Sequence, residues 1–253
     1  MYPPPTGLNA IYCYICIIMQ CVILAAGKGT RLRPLTEKTP KPLIKVAGKT
    51  LLDHIVSALP TAIDELIIVT GYLEEQIKNH CGTEFHGRKV TYVTQTEQKG
   101  TAHALWLCKD LLKGRFLFMF ADDLHGVNDI ARATSYTRSM LTLTTTTPEK
   151  FGIVVRHPDG TLAEMVEKPT HAPSNLASTG VMVLDENIFK FDPYAKETKG
   201  EYYLTDVIQE YAKEYPIAVV EQSLWIPIGY PEDIEKAEKI LAARHNLVNQ
   251  FAH

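Results

Sequence analysis

Short apolar runs alternate along the first half of the chain with segments whose apolar residues recur at helical spacing. The apolar and β-branched runs predict a buried strand at 21–26 and further strands at 66–70, 90–94 and 116–120. Helical spacing predicts helices at 51–59 and 102–112. Because strands that alternate with helices favour parallel pairing, the sequence predicts an α/β, Rossmann-like fold with a mostly parallel sheet flanked by helices.

The pattern changes after about residue 140, where strands follow one another more closely. Further strands are predicted at 141–147, 153–156, 162–167 and 181–184. The turn signal Pro158-Asp159-Gly160 separates two of them and predicts a β-hairpin. Helices are predicted at 202–215 and 231–246, the second with a proline at its start. A small hairpin-containing part therefore accompanies the main sheet.

Bulk composition limits the classes of partner. With 253 residues and a net charge of -3, the chain is long enough for a sizeable core. Its near balance of charge favours neither nucleic acid nor a membrane as a partner. Five cysteines, an odd count, predict a reducing compartment and hence a cytoplasmic location.

The first residues are unusual, since 11–26 are almost continuously apolar. No Lys or Arg precedes Lys28, which disfavours a signal peptide, and the run is shorter than the about 20 residues of a membrane-spanning helix. We interpret Met19 as the natural start. Residues 1–18 are then an upstream extension outside the fold, and 19–253 form one domain.

A glycine-rich turn follows the first predicted strand. It reads Leu24-Ala25-Ala26-Gly27-Lys28-Gly29-Thr30-Arg31, and Pro40-Lys41-Pro42 comes soon after. The glycines let the backbone bend and bring its N–H groups close to a ligand. Backbone donors together with Lys28, Arg31 and Lys41 make a suitable socket for a polyphosphate.

Two further polar segments follow predicted strands. One is the loop 95–104, in which Gln95 could donate to and accept from a nucleobase edge, and Thr101 could cap the next helix. The other is the pair Asp122-Asp123 after the strand 116–120. Because ligands bind at the carboxyl ends of parallel strands, these segments and the glycine-rich turn are expected to share one site.

These motifs together resemble the sugar-1-phosphate nucleotidyltransferases, the sugar-nucleotide pyrophosphorylases. The turn and Pro40-Lys41-Pro42 are similar to the family's G-x-G-T-R…P-K-P signature, and 95–104 resembles its uridine-reading loop. The resemblance implies the nucleotide-diphospho-sugar transferase fold, with an NTP and a sugar 1-phosphate as substrates. It implies nucleotide contacts at Leu24, Ala25, Ala26, Gly27, Lys28, Gly29, Thr30, Gln95, Gly100 and Thr101.

The same resemblance assigns the chemistry and the sugar side. Arg31, Lys41 and Asp122 would be catalytic, with Asp122 as a ligand of Mg2+. Contacts to the sugar are implied for Gly152, Glu167, Lys168, Ser178, Thr179 and Gly180. Glu201 and Asp206 resemble a further family segment, in which a helix cap or dipole partner is the alternative role.

One position departs from the family pattern. Trp225-Ile226-Pro227-Ile228-Gly229 resembles a W-x-D-x-G segment in which the aspartate is often the second protein ligand of Mg2+, and Pro227 replaces that aspartate here. Either Asp122, phosphates and water suffice, or a neighbour substitutes, or activity is weakened.

The resemblance implies uridylyl transfer to a sugar 1-phosphate, with UTP favoured over dTTP and glucose 1-phosphate favoured over N-acetylglucosamine 1-phosphate. Transfer of another nucleotide by the same fold, as in thymidylyl- or guanylyltransferases, remains an alternative. So does a regulatory protein that binds nucleotide sugars with weakened catalysis.

Overall fold

The computed structural model describes residues 19–198 and 200–250, the last six of these by their backbone alone. The proposed upstream extension, residues 1–18, lies outside the described residues. In chain order the strands are β1 (Met19–Leu24), β2 (Lys45–Val46), β3 (Lys49–Thr50), β4 (Ile63–Thr70), β5 (Glu84–Phe85), β6 (Arg88–Thr94), β7 (Arg115–Phe120), β8 (Asp123–His125), β9 (Ser139–Thr144), β10 (Gly152–Arg156), β11 (Leu162–Glu167), β12 (Leu176–Asp185), β13 (Ala218–Glu221) and β14 (Trp225–Pro227). The helices are α1 (Leu51–Ser57), α2 (Glu74–Cys81), α3 (Thr101–Trp106), α4 (Val127–Thr134), α5 (Leu204–Glu214) and α6 (Pro231–Gln250).

Four parallel strands form the centre of the main sheet, in the order β6-β4-β1-β7. On the β7 side the sheet continues through β12 to β10 and β11, and β9 also pairs with β12 and with β13. Strand β12 runs antiparallel to β7, so the sheet is parallel in its centre and mixed toward that edge. The predicted α/β architecture with a parallel central sheet is confirmed.

Helices cover both faces of this sheet, and the side chains of β1 show how the core divides. Cys21 and Ile23 pack in one cluster with apolar residues of α1, α2, α4 and α6, whereas Val22 packs in the other with α3 and α5. Because successive side chains of a strand point to opposite faces, one apolar strand serves both layers. The continuous apolar run at the start of β1 is explained by this burial.

The predicted hairpin is also confirmed. Strands β10 and β11 pair antiparallel, from Gly152 opposite Glu167 to Val155 opposite Glu164. Between them the amide of Gly160 donates to the carbonyl of His157 across the turn. This hairpin forms one end of the main sheet, in the order β11-β10-β12.

Several predicted elements are shorter in the structure, and two of them end three or more residues before their predicted ends. The helix expected at 102–112 ends at Trp106, after which the amides of Cys108 and Lys109 bond three residues back rather than four. The strand expected at 141–147 ends at Thr144. There the amide of Thr147 bonds to the hydroxyl of Thr145, which turns the chain out of the sheet.

None of the helices in the described part of the chain is both long enough and apolar enough to cross a membrane.

Candidate active site

A cavity of about 410 Å³ lies at the carboxyl ends of β1, β6 and β7. The sequence-predicted residues in its lining are Leu24, Ala25, Ala26, Gly27, Gly29, Thr30, Arg31, Lys41, Gln95, Gly100, Thr101 and Asp122. Lys28 is exposed and does not line this cavity. The structure thus brings together segments that lie up to about a hundred residues apart, as expected for the carboxyl edge of a parallel sheet.

The glycine-rich turn is held in place by close packing at Gly29. This residue adopts a left-handed backbone conformation, with φ of 60°. A Cβ atom at Gly29 would lie 3.0 Å from Thr36 and 3.1 Å from the Cβ of Lys41. The hydroxyl of Thr36 also donates to the Gly29 carbonyl at 2.8 Å. Glycine is therefore needed here both for its backbone conformation and for the space beside Lys41.

Lys41 reaches across the cavity to Asp122. It begins a short 3-10 turn, Lys41–Leu43, that follows Pro40. Its Nζ atom lies 2.6 Å from Oδ2 of Asp122, and the two side chains are 12% and 37% exposed. An ammonium group and a carboxylate thus meet on the cavity wall, where both can contact an entering ligand.

Asp123 faces away from Asp122 toward a small ribbon formed by β8 and β14. Its Oδ2 accepts a hydrogen bond of 2.9 Å from the indole Nε1 of Trp225, and Pro227 lies directly opposite it in the ribbon. Burial and then the neighbouring charge of Asp122 raise the pKa of Asp123 to about 8. Of the two aspartates, Asp122 therefore belongs to the cavity and Asp123 to the ribbon beside it.

Arg31 packs on an aromatic ring that the sequence did not point to. Its guanidinium carbon lies 5.4 Å from the centre of the Tyr230 ring. The backbone amides of Gly229 and Tyr230 both donate to Oδ2 of Asp233, in the first turn of α6. Gly229 itself lines the cavity. The first turn of α6 thus fixes the position of Tyr230, whose ring contacts Arg31 beside the cavity.

Gln95 is 6% exposed, and its amide group has a defined orientation. The Nε2 atom donates to the Gly100 carbonyl at 3.1 Å and lies 3.0 Å from Nδ1 of His103. Burial and then the charge of Lys99 lower the pKa of His103, which favours the neutral ring, and Nδ1 accepts from Gln95 in the tautomer that is protonated at Nε2. No donor in the described parts of the chain bonds to Oε1 of Gln95, which leaves that oxygen for a ligand.

The loop 95–101 is fastened to two other parts of the fold. Gln98, which the sequence analysis did not single out, donates to the Ala26 carbonyl at 3.1 Å and lines the cavity. Gly100 has a φ of 94°, and a Cβ atom there would overlap the backbone of Tyr202. Gln98 could have been noticed in the sequence as the second glutamine of this segment. Its partner, Ala26, lies 72 residues away, so the contact itself could not be predicted.

The sequence predicted that Thr101 caps α3, but in the structure it does not. The helix α3 begins at Thr101 itself and has no side-chain cap. The Thr101 hydroxyl instead accepts a hydrogen bond of 2.9 Å from the amide of Leu204, the first residue of α5. Thr101 therefore caps α5 rather than α3, because Tyr202 and Leu204 pack against the loop 95–101.

The predicted sugar-side residues Glu167 and Lys168 lie at the end of β11. Oε1 of Glu167 is 3.2 Å from the ammonium of Lys168, and Oε2 accepts a hydrogen bond of 2.9 Å from the hydroxyl of Thr205. A Cβ atom at Gly152 would lie 3.2 Å from Oε2 of Glu167. Gly152, Glu167 and Thr205 therefore form a compact group, although they do not line the cavity described above.

Ser178, Thr179 and Gly180 lie in β12, at a point where its register with β9 is interrupted. Thr179 is 1% exposed, and its hydroxyl donates to the Leu141 carbonyl at 3.0 Å. Gly180 has a φ of 81°, and a Cβ atom there would overlap the Phe120 ring. Thr179 and Gly180 thus have packing roles in the structure, and the predicted sugar contacts of all three remain predictions.

Glu201 and Asp206 have separate positions. Glu201 lines the cavity. Asp206 lies in the first turn of α5, with Oδ1 2.6 Å from the ammonium of Lys196. The alternative role for Asp206, a carboxylate at the positive end of a helix dipole, agrees with this position.

The family model "Nucleotidyl transferase" matches residues 20–244, which include nearly all of the described chain and the whole cavity wall. The chain belongs to the nucleotidyl transferase family. The predicted family and the predicted enzyme class are therefore confirmed.

Curated relatives of this nucleotidyl transferase agree with that class. The UTP–glucose-1-phosphate uridylyltransferase AglF of Haloferax volcanii is 35% identical over 234 residues, which are 88% of this chain and 96% of the relative. The bifunctional protein GlmU of Methanocaldococcus jannaschii is 34% identical over 90% of this chain. The match spans only 55% of the length of GlmU.

Solved structures share the fold of this nucleotidyl transferase. A Bacillus anthracis protein, assigned as a glucose-1-phosphate thymidylyltransferase, superposes with a TM-score of 0.80 and 27% identity over 88% of this chain and 94% of that one. UDP-glucose pyrophosphorylase complexed with UDP-glucose gives a TM-score of 0.76 at 24% identity, over 90% of this chain and 99% of that one. At that identity the second comparison supports the fold alone.

The residues of the nucleotidyl transferase cavity suit a loosely held divalent cation. Asp122 supplies carboxylate oxygens, the donor type that Mg2+ prefers. Among the residues whose side chains the structure describes, 19–198 and 200–244, there is no group of three or more His, Cys, Asp or Glu that could hold a metal ion. Because Mg2+ often binds through one or two carboxylates and substrate phosphates, Asp122 fits a cation that arrives with its nucleotide.

Proposed function

We propose that this nucleotidyl transferase moves a uridylyl group from UTP to a sugar 1-phosphate, with glucose 1-phosphate as the first candidate. The observation that carries the proposal is the meeting of three groups in one cavity: the glycine-rich turn, the Lys41–Asp122 pair and Gln95. The first two suit a triphosphate and the third suits a nucleobase. Similarity to the Haloferax volcanii uridylyltransferase supports the same choice of substrates.

The reaction needs no nucleophile from the protein. An oxygen of the sugar phosphate, already an anion, attacks the α-phosphorus of UTP and forms a new P–O bond. The bond from that phosphorus to the oxygen bridging to the β-phosphate breaks, and pyrophosphate leaves with the electron pair. The protein then contributes positioning and neutralisation of negative charge.

The cations of the cavity divide this task. Lys41 would contact the attacking phosphate and the α-phosphate, because it lies beside Asp122 on the cavity wall. Arg31, which lines the cavity, would hold the β- and γ-phosphates and the departing pyrophosphate, and Lys28 would contact the same phosphates from its exposed position in the glycine-rich turn. The backbone of the glycine-rich turn adds N–H donors to the same phosphates.

Asp122 would hold Mg2+ together with the nucleotide phosphates. When bound, the cation would supply charge neutralisation at the α-phosphate. The Lys41 ammonium lies 2.6 Å from Oδ2 of Asp122. Substrate phosphate would compete with Asp122 for Lys41 and so would leave the carboxylate oxygens of Asp122 available to the cation.

Gln95 supports a base that carries a ring N–H group. Its Nε2 is used by Gly100 and His103, so its Oε1 can only accept. Uracil, thymine and guanine carry a ring N–H at that edge, whereas cytosine and adenine have a bare ring nitrogen there and donate only from the exocyclic amino group beside it. With Oε1 of Gln95 against the ring nitrogen, UTP, dTTP and GTP are favoured over CTP and ATP.

The same argument leaves dTTP as the second candidate. Uracil and thymine share the N–H group that Gln95 would read, so this side chain does not separate them. The similarity to the Bacillus anthracis structure assigned as a thymidylyltransferase specifically favours this alternative. Direct competition between UTP and dTTP is the measurement that distinguishes the two.

The deciding experiment is pyrophosphate release by the purified protein with Mg2+. UTP, dTTP, GTP, CTP and ATP are each combined with glucose, N-acetylglucosamine and mannose 1-phosphates. We expect release with UTP and glucose 1-phosphate, and none with CTP or ATP. Release that is faster with dTTP or GTP than with UTP would overturn the uridylyl assignment.

Absence of pyrophosphate release with every substrate pair would lead to a different interpretation. If UTP binds, as measured by calorimetry, but no pair releases pyrophosphate, transfer among these substrates is contradicted. A regulatory protein that binds nucleotide sugars, with chemistry weakened at Pro227, would then be the better interpretation.

A further inference from the structure

The first turn of α5 contacts both predicted substrate regions through two adjacent residues. The amide of Leu204 donates to the hydroxyl of Thr101, in the loop that lines the nucleotide cavity. The hydroxyl of the next residue, Thr205, donates to Oε2 of Glu167, on the predicted sugar side. Both bonds are 2.9 Å long. One helix start therefore joins two segments that the chain carries more than sixty residues apart.

We propose that Thr205 is a positioning residue that orients the Glu167 carboxylate for the sugar of the nucleotide sugar. This inference rests on the proposed function, because it takes Glu167 as a sugar contact. Thr205 itself does not touch the substrate. It acts through the hydrogen bond that its hydroxyl donates to Glu167.

Thr205 is the fixed partner of Glu167. Its side chain belongs to the buried part of α5, where the residue is 8% exposed. Lys168, the other partner of the carboxylate, is 56% exposed and 3.2 Å away. An exposed lysine loses side-chain freedom when it is held and contributes little to positioning. The buried hydroxyl therefore decides where the carboxylate lies.

Gly152 shows how little room the carboxylate has. A Cβ atom on Gly152 would lie 3.2 Å from Oε2 of Glu167, 3.0 Å from Cε of Met165 and 4.0 Å from the Thr205 hydroxyl oxygen. Oε2 of Glu167 thus lies between the backbone of Gly152 and the hydroxyl of Thr205. Because Oε2 accepts from Thr205 and is confined by the backbone of Gly152, Oε1, whose partner is the exposed Lys168, is the more accessible oxygen for a sugar hydroxyl.

The bond from Leu204 to Thr101 adds a second constraint. Because Leu204 and Thr205 are consecutive residues of one helix turn, the base-side loop and the Glu167 carboxylate cannot shift independently. Glu167 also lies on the hairpin β10–β11, at the end of the sheet. The α5 start is therefore the link that places this edge of the sheet relative to the nucleotide loop.

The test compares two substitutions at one position, Thr205→Val and Thr205→Ser. Valine keeps the branched shape and removes the hydroxyl, whereas serine keeps the hydroxyl and removes a methyl group. Dissociation constants for UDP-glucose, UDP-N-acetylglucosamine and UTP are measured by calorimetry for the wild type and both variants. KM values for UTP and glucose 1-phosphate are measured alongside, and thermal unfolding reports the stability of each variant.

We expect Thr205→Val to weaken binding of the nucleotide sugar about tenfold, as loss of one hydrogen bond to a charged group predicts. Binding of UTP should stay within about twofold, because UTP has no sugar to contact Glu167. Thr205→Ser should restore nucleotide-sugar binding. In kinetics, the KM for the sugar 1-phosphate should rise in the valine variant while that for UTP does not.

Three results would overturn the inference. The first is a valine variant that binds nucleotide sugars as the wild type does. The second is equal weakening of UTP and nucleotide sugars, which would mean that α5 is simply disturbed. The third is a serine variant as impaired as the valine variant.

Failure of the proposed function would look different. It would be seen in the wild type, as binding without pyrophosphate release, and the binding comparison would still decide the role of Thr205. A wild type that binds UTP but no nucleotide sugar would overturn the inference about Thr205.

Discussion

The ammonium nitrogen of Lys41 lies 2.6 Å from a carboxylate oxygen of Asp122, although 81 residues separate them in the sequence. The proline on each side of Lys41 restricts its loop, and the strand β7 delivers Asp122 to the same cavity wall. An ammonium group and a carboxylate are therefore preassembled at one point of the cavity wall, as the proposed function requires. This pairing supports the first of four predictions.

Lys41→Ala should lower kcat for nucleotidyl transfer by about a hundredfold to a thousandfold, because it removes charge stabilisation at the reacting phosphate. The free energy of unfolding should change by less than about 1 kcal/mol, since Asp122 retains contact with water. Pyrophosphate release and thermal unfolding measure the two quantities. Lys45→Ala, at an exposed lysine of β2, is the control. A Lys41→Ala enzyme with near wild-type turnover would contradict the assignment.

Gly29→Ala should impair catalysis because the added Cβ atom would press on Thr36 and Lys41. The left-handed backbone strains any side chain there, at a cost of about 1–2 kcal/mol, and the new Cβ pushes against Thr36 and Lys41. Gly48→Ala is a matched control, because Gly48 also has a positive φ but has nothing within 4 Å of the added Cβ. Both variants should lose stability in chemical denaturation. Only Gly29→Ala should lower kcat/KM for UTP, by about tenfold or more. An equal loss of kcat/KM in Gly29→Ala and Gly48→Ala would show that backbone strain, and not contact with Thr36 and Lys41, causes the effect.

Gln95→Met should reduce the preference for UTP over CTP. Methionine has a similar length but lacks the Oε1 atom that would accept from the uracil N–H. We expect kcat/KM for UTP to fall about tenfold, while the KM for the sugar 1-phosphate is unchanged. Assays with both nucleotides and a fixed sugar 1-phosphate measure the ratio. An unchanged UTP to CTP ratio would mean that another group reads the base.

Asp53 should contribute stability that is lost in acid. Burial tends to raise its pKa, but hydrogen bonds from Thr50 and His86 and the charge of His80 outweigh this and lower the pKa from 3.8 to about 2. The folded protein thus binds fewer protons at Asp53 than the unfolded chain does. The stabilisation is complete above the unfolded pKa of 3.8 and disappears as the pH falls toward about 2.

The shift at Asp53 corresponds to about 2 kcal/mol at neutral pH. Asp53→Asn should lower the free energy of unfolding by that amount and flatten its dependence on acidic pH. The matched control is Asp64→Asn, at an exposed position of β4. Urea unfolding across the acidic range measures both. Parallel acid profiles for Asp53→Asn and the wild type would contradict the prediction.

Local patterns in the sequence were sufficient for the central strands and for the segments around the cavity. The apolar runs of β1, β4 and β7 are long because each of these strands is buried on both faces, and this burial is visible in one sequence. Parallel strands then require their carboxyl-end loops to meet. For the same reason Gly29, Gln95 and Asp122 could be expected together before the structure was known.

Contacts between distant segments could not be predicted in this way. Thr205 and Glu167 are 38 residues apart, and Trp225 and Asp123 are 102 residues apart. Neither pair has a periodic pattern or a turn signal that joins it. The early end of α3 also depends on tertiary packing, because the apolar spacing continues beyond Trp106. Thr101 is a further example, since its hydroxyl serves a helix whose position the local sequence does not encode.

The position of the hairpin β10–β11 suggests how this enzyme could change its acceptor during evolution. The glycine-rich turn follows β1, a central strand held by neighbours on both sides, whereas Glu167 ends and Lys168 follows β11, the last strand on its side of the sheet. Substitutions and insertions are tolerated better at an edge than at a centre. Acceptor choice can therefore diverge among descendants of one ancestor while the machinery of phosphate transfer is inherited intact.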